Sequence, residues 1–196
     1  GYVLWVGIAD VSFYVRPQTK LDEEAFTRGT SVYFPERAFH MLPTNLSENL
    51  CSLKPNVPRL SLVAKMEFDH QGKKKRTDNY EAVILSKRRI IYEELEKENQ
   101  DNLKNKDWEY RPHYELYQVL KKSRHDRGSI DFDLPEAKVK VDSNGVPTGV
   151  EVRDRLDSHR LIEEFMIAAN EAVTEWMIQK HKPFIYRIHE EPTYES

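Results

Sequence analysis

Two acidic pairs and two tyrosines are the residues of this chain with types and settings suited to chemistry or binding. Asp131-Phe132-Asp133 puts two carboxylates on one face of an extended segment, where they could hold a metal or move a proton. The competing reading is a strand entry, with both acids beside Arg127 and Gly128 as ordinary surface charge. Glu163 and Glu164 open a long helical pattern, and helical geometry separates them. Glu164 shares the outer face with Glu171 and is expected in solvent. Glu163 lies with Asn170 on the flank of the apolar face, where it can reach a pocket. Tyr33 sits in an irregular loop, and Tyr92 sits where strand-like Ile90-Ile91 gives way to a helix. In either place an aromatic face can stack on an unpaired base; plain packing with a hydroxyl handle is the alternative.

Other chemistries lack their residues. The seven histidines follow no zinc-ligand spacing. Cys51 is the single cysteine, so neither an internal disulfide nor a thiolate zinc site is available, and an intracellular protein is expected. Between apolar neighbours, its thiol reads as a packing residue. There is no glycine-rich phosphate loop and no nucleophile elbow to support a serine triad. A net charge of −3 argues against a freestanding basic nucleic-acid binder, yet leaves room for a channel with local basic lining. With 196 residues the chain can bury a real core. Its apolar runs fall short of a membrane span. The opening Gly1–Ile8 lacks the basic start of a signal peptide and runs straight into a strand pattern, which suggests a trimmed boundary.

The elements that must position these residues follow from periodicity. Tyr2 to Ile8 is nearly all apolar and β-prone, as in a central strand covered on both faces. Thr19 is an N-cap candidate for a short helix that ends at Gly29, with Leu21 and Ala25 facing inward. Arg28 to Leu53 fits no regular pattern. Met41, Leu42, Leu46, Leu50 and Leu53 nevertheless give it too many apolar anchors for disorder, so an ordered loop that shapes a site is expected. Residues 60–68 alternate with a period of two, turn at Asp69–Gly72 and return over 80–85 as a hairpin that Ser86–Ile91 could extend. Helices are expected over 92–103 and 112–127, the second with Tyr117, Leu120 and Arg124 on one stripe. Asn144-Gly145 between alternating valines marks a second hairpin. The clearest helix is 161–177, with Leu161, Ile162, Phe165, Met166 and Ala169 on its apolar face and Asp157 or Ser158 as cap; Phe184–Ile188 reads as a last strand. The order implies an α+β fold, a mixed, largely antiparallel sheet packed against helices.

An ordered series of motifs resembles a known family. Val6-Gly-Ile-Ala-Asp10-Val-Ser, Arg28-Gly-Thr-Ser-Val-Tyr33-Phe-Pro, Met41-Leu-Pro43 and Asn49-Leu-Cys-Ser-Leu53 open it; Arg127-Gly-Ser-Ile-Asp-Phe-Asp133, Leu161-Ile-Glu-Glu-Phe-Met-Ile-Ala-Ala-Asn170 and Tyr186-Arg-Ile-His-Glu190 continue it. Together they resemble the RNB catalytic domain of the ribonuclease II and ribonuclease R exoribonucleases, and look closer to ribonuclease R. The resemblance implies a processive, magnesium-dependent hydrolase that degrades single-stranded RNA from its 3′ end to nucleoside 5′-monophosphates. By the same resemblance Tyr33 matches a tyrosine that clamps the 3′-terminal base. Tyr92 and Glu163 match positions near the last nucleotides, associated with the place of cleavage and with preference for ribose.

The family's metal-binding aspartates precede the strand that opens this chain, and a catalytic-centre arginine follows its end. Asp131-Phe-Asp133 matches a different, non-catalytic segment. The expectation is therefore a partial RNB domain over 1–196 that binds RNA, is inactive alone and carries no catalytic or metal-ligating residue of its own. The parent would be a cytoplasmic enzyme needing Mg2+ but no small-molecule cofactor and no membrane. A non-catalytic RNB-like RNA-binding module is the alternative.

Overall fold

A computed structural model describes residues 1–35, 37–129 and 136–188. Its centre is an antiparallel three-stranded sheet in the order β1 (Tyr2–Ala9), β4 (Pro58–Phe68), β5 (Lys74–Leu85). The β4–β5 pairing runs from Pro58 opposite Leu85 to Phe68 opposite Lys74, as the period-two pattern anticipates. Its turn is chemically specified. Asp69 Oδ1 accepts the Gln71 and Lys73 N–H groups, both at 2.9 Å. The Lys75 ammonium and these N–H donors hold the Asp69 carboxyl down at about 2. Gly72 has a φ of 78°, and a Cβ there would lie 2.7 Å from Val119 Cγ1, so the turn needs glycine for conformation and for space.

The sheet uses both faces of β4. Ala64, Met66 and Phe68 point into the main core with Leu4 of β1. The helices α4 (Arg111–Asp126) and α5 (Asp157–Gln179) close that core with Tyr117, Leu120, Leu161, Phe165 and Ala169. Successive residues of a strand face opposite sides, so the buried Ser61 and Val63 belong to the other face. Arg59 shares that face. Its Nε donates to the Asn49 and Ser52 carbonyls, each at 3.1 Å, and its Nη2 to Asn49 Oδ1 at 2.9 Å. These bonds lay the irregular segment across one end of the sheet.

The stretch between β1 and β4 contains α1 (Val11–Tyr14), α2 (Lys20–Arg28), the two-residue strands β2 (Val32–Tyr33) and β3 (Ala38–Phe39), and a π-helical turn at Leu46–Leu50, the last three within the irregular segment. Thr19 caps α2 by accepting from the Asp22 N–H, and Gly29 ends it with a φ of 70°. Leu46 is buried, and Met41, Leu42, Leu50 and Leu53 are partly buried. The apolar anchors do the work expected of them.

Elsewhere α3 (Tyr92–Asp101) leads into α4, and β6 (Glu136–Val141) pairs with β7 (Pro147–Arg153) around the Asn-Gly turn. Several sequence readings need correction. Among the described residues the first strand is an edge strand, hydrogen-bonded only to β4, with Val3 and Trp5 about half exposed. An apolar run sets β preference but not the number of neighbours. Ser86–Ile91 does not extend the hairpin, and Phe184–Ile188 forms no strand. The α5 N-cap position is Leu156, one residue before Asp157 and two before Ser158. Asp131 and Asp133 lie outside the described residues. Among the described residues no helix is long and apolar enough to cross a membrane.

Candidate nucleic-acid interface

Three consecutive residues anchor the start of α5. The Tyr117 hydroxyl of α4 donates to Asp157 Oδ1 at 3.2 Å. Ser158, fully buried, donates its Oγ to the Tyr92 carbonyl and its N–H to Glu96 Oε2, both at 2.9 Å. The His159 ring lies against the Tyr92 ring, centroids 4.2 Å apart and planes 26° apart. The first turn of α3 is thus bonded to the first turn of α5. Arg88 fastens the preceding segment to α3 through Glu94 at 2.9 Å and Glu98 at 2.5 Å, which fixes the approach of the chain to Tyr92.

Glu163 stands one helical turn beyond His159 on the same face. Arg155, just before the helix, reaches it with Nη2 2.6 Å from Oε2. The Glu163 side chain is 41% exposed, and Tyr92 is 39% exposed. Helical spacing therefore puts Glu163 on the face of α5 that carries His159, whose ring stacks on Tyr92. Reading the histidines only for metal spacing missed His159. The available signal was its four-residue separation from Glu163, the spacing of side-chain neighbours on a helix.

Glu164 is a correction. It is 4% exposed, not solvated. Arg124 of α4 holds its Oε1 with Nε at 2.8 Å and Nη2 at 2.7 Å, and donates Nη1 to Ser129 Oγ at 2.9 Å. The pair joins α4 to α5 in the protein interior. The buried side of α5 runs through Leu161, Glu164, Phe165, Ala168 and Ala172, while Ile162 and Met166 of the expected apolar face are exposed. The buried side is rotated because Arg124 neutralises a carboxylate where an apolar residue would be expected.

Tyr33 stands apart. It pairs with Ala38 in the β2–β3 ribbon, and its ring meets His40 edge-on with centroids 6.5 Å apart. His40 is in turn 3.0 Å from Glu48 Oε1. The Met41 N–H donates to Ser31 Oγ at 2.8 Å, bracing the ribbon from below. Tyr33 is 74% exposed, so its ring is presented, not packed. No described contact joins it to Tyr92 or Glu163. Cys51 is partly buried; burial, with Asp10 nearby, pushes its thiol up and away from nucleophilic use.

Between β1 and the three helices runs an apolar groove of about 710 Å³, walled by Trp5, Tyr92, Tyr110, Tyr114, Ile162 and Phe165. Tyr92 forms its rim. Among the described residues no group of three or more His, Cys, Asp or Glu side chains converges to hold a metal ion. The arrangement can stack on and hydrogen-bond to a polymer.

Comparison with known proteins decides the family. The RNB domain pattern matches residues 1–196. The chain belongs to the RNB domain family. Ribonuclease R of Aquifex aeolicus is 46% identical over 205 residues, covering 100% of this chain and 28% of that protein. The solved structure of Mycoplasma genitalium RNase R in complex with ribose-methylated single-stranded RNA superposes with a TM-score of 0.91 at 31% identity, over 100% of this chain and 31% of that one. Yeast Ssd1, a pseudonuclease, shares the fold with a TM-score of 0.67 at 21% identity, over 91% of this chain and 22% of that one. The RNB chain spans about a quarter of the length of the curated relatives it matches. Its α+β architecture of antiparallel sheets and helices is that of ribonuclease R over this stretch.

Proposed function

We propose that the protein containing this chain is a 3′-to-5′ exoribonuclease of the cytoplasm, and that residues 1–196 form part of the wall that holds single-stranded RNA. What carries the proposal is the match of the whole of this chain to part of ribonuclease R, one member of which is solved with single-stranded RNA. The geometry suits the role. Tyr33 offers an exposed ring on a braced ribbon, where stacking on the terminal base is sequence-tolerant because every base has a π-face. Arg155 takes Oε2 of Glu163 and leaves Oε1 without a protein donor among the described residues. A 2′-hydroxyl can donate to Oε1, and deoxyribose has no such donor. Tyr92 and Glu163 would together read the sugar near the 3′ end.

The hydrolytic metal, magnesium in this reading, has no fitting site among the described residues. The wall positions RNA, and the groups that activate water belong to the rest of the protein. The test compares the full-length protein with the 196-residue polypeptide on 5′-labelled single-stranded RNA, with Mg2+ and with EDTA. The full-length protein should shorten RNA from the 3′ end, release nucleoside 5′-monophosphates and stop in EDTA; the polypeptide should not degrade RNA above background. Turnover copurifying with the polypeptide would overturn the division of labour. Full-length protein that binds RNA without cutting it would instead make this a non-catalytic binding module.

A further inference from the structure

His159 shares a helical face with Glu163 and a ring contact with Tyr92. Its ring stacks on Tyr92 at 4.2 Å, and its Nδ1 accepts the Leu156 N–H at 3.1 Å. With Nδ1 accepting, the neutral ring carries its proton on Nε2, and the cap bond and the stack together limit rotation of the imidazole. One helical turn further along the same face stands the Arg155–Glu163 pair. The backbone at Tyr92 is independently fixed by Ser158 Oγ on its carbonyl. What the backbone bond leaves undetermined is the direction of the Tyr92 ring, and the imidazole face supplies that.

We propose that His159 is a positioning residue: its stack holds the Tyr92 ring at the Glu163 face, so preference for ribose over deoxyribose depends on it. The inference rests on the reading of Tyr92 and Glu163 as the sugar-reading pair. It goes further by naming a residue that touches neither sugar nor phosphate in that reading.

Two substitutions in the full-length protein separate the stack from the cap. His159→Gln keeps an acceptor for the Leu156 N–H, as glutamine does at this third helical position, but has no ring. His159→Phe keeps a ring and has no acceptor. The readout is the ratio of kcat/KM on all-ribose RNA to that on RNA with 2′-deoxy sugars at the last nucleotides, with Tyr92→Ala measured beside it. His159→Gln should lower the ratio by roughly three- to tenfold, the factor a lost aromatic pair corresponds to, and His159→Phe should stay within about twofold of the unaltered protein. Thermal unfolding of both variants reports any loss of the cap separately. If His159→Gln keeps the ratio while Tyr92→Ala lowers it, the inference fails and the reading of Tyr92 survives. If Tyr92→Ala also keeps the ratio, both fail. A loss in His159→Phe with none in His159→Gln would assign the effect to the cap and overturn the stacking role.

Discussion

Glu164→Ala should destabilise the unit containing this domain by about 3 kcal/mol, because breaking a buried pair from one side leaves the other charge uncompensated. Arg124 would keep only the Ser129 hydroxyl, with its side chain 20% exposed. That residual access to water places the loss near the lower end of the usual range for such pairs. A loss of this size corresponds to a melting temperature lower by roughly 6–12 °C for a domain near this size. The loss comes from the unpaired guanidinium, so it should be largely relieved by replacing both partners. The Arg124→Met, Glu164→Met double variant should recover most of the stability, since apolar replacements of a buried pair are often neutral or better. Thermal unfolding of the three variants checks this. A double variant no more stable than Glu164→Ala would mean that the pair contributes in some way other than mutual compensation.

Tyr33→Ala in the full-length protein should weaken retention of short RNA 3′ ends by about 1–3 kcal/mol, the value of one base stacked on an aromatic face. The ring is 74% exposed and only edges against His40, so removing it opens no core cavity. Stability should be nearly unchanged while affinity falls. Tyr33→Phe should behave as the unaltered protein, because stacking uses the ring and not the hydroxyl. Equilibrium binding of short oligoribonucleotides, beside thermal unfolding, separates the two effects. Unchanged binding of short products by Tyr33→Ala would count against the clamp.

Local features of the fold were legible where local chemistry decides them. Thr19 and Gly29 bound α2, the alternation of residues 60–68 sets the β4–β5 register, and Asn144-Gly145 turns β6 into β7. Features decided across the chain were not. Glu164 reads as a surface acid because a carboxylate on a helix usually is one, and its partner Arg124 lies on another helix. The edge position of β1 depends on which strands pair, which an apolar run does not encode. Phe184–Ile188 has the composition of a strand but no strand to pair with among the described residues. Within the candidate interface, helical spacing put Glu163 and Glu164 on different faces but assigned the wrong one to solvent, since Glu164 is the buried one. The link to Tyr92 was hidden because it runs through a ring contact between α3 and α5, made by His159, and through a backbone carbonyl held by Ser158.

These positions make the central claim, that residues 1–196 hold the 3′ end of RNA for groups elsewhere to cut, open to direct mapping. Single-stranded RNA carrying a photoreactive base at the 3′-terminal nucleotide would be cross-linked to the full-length protein in EDTA and the attachment sites read by mass spectrometry. The account predicts attachment to the β2–β3 ribbon around Tyr33, and, with the probe moved inward from the end, to peptides carrying Tyr92 or His159. Terminal-nucleotide cross-links confined to parts of the protein outside residues 1–196 would contradict it.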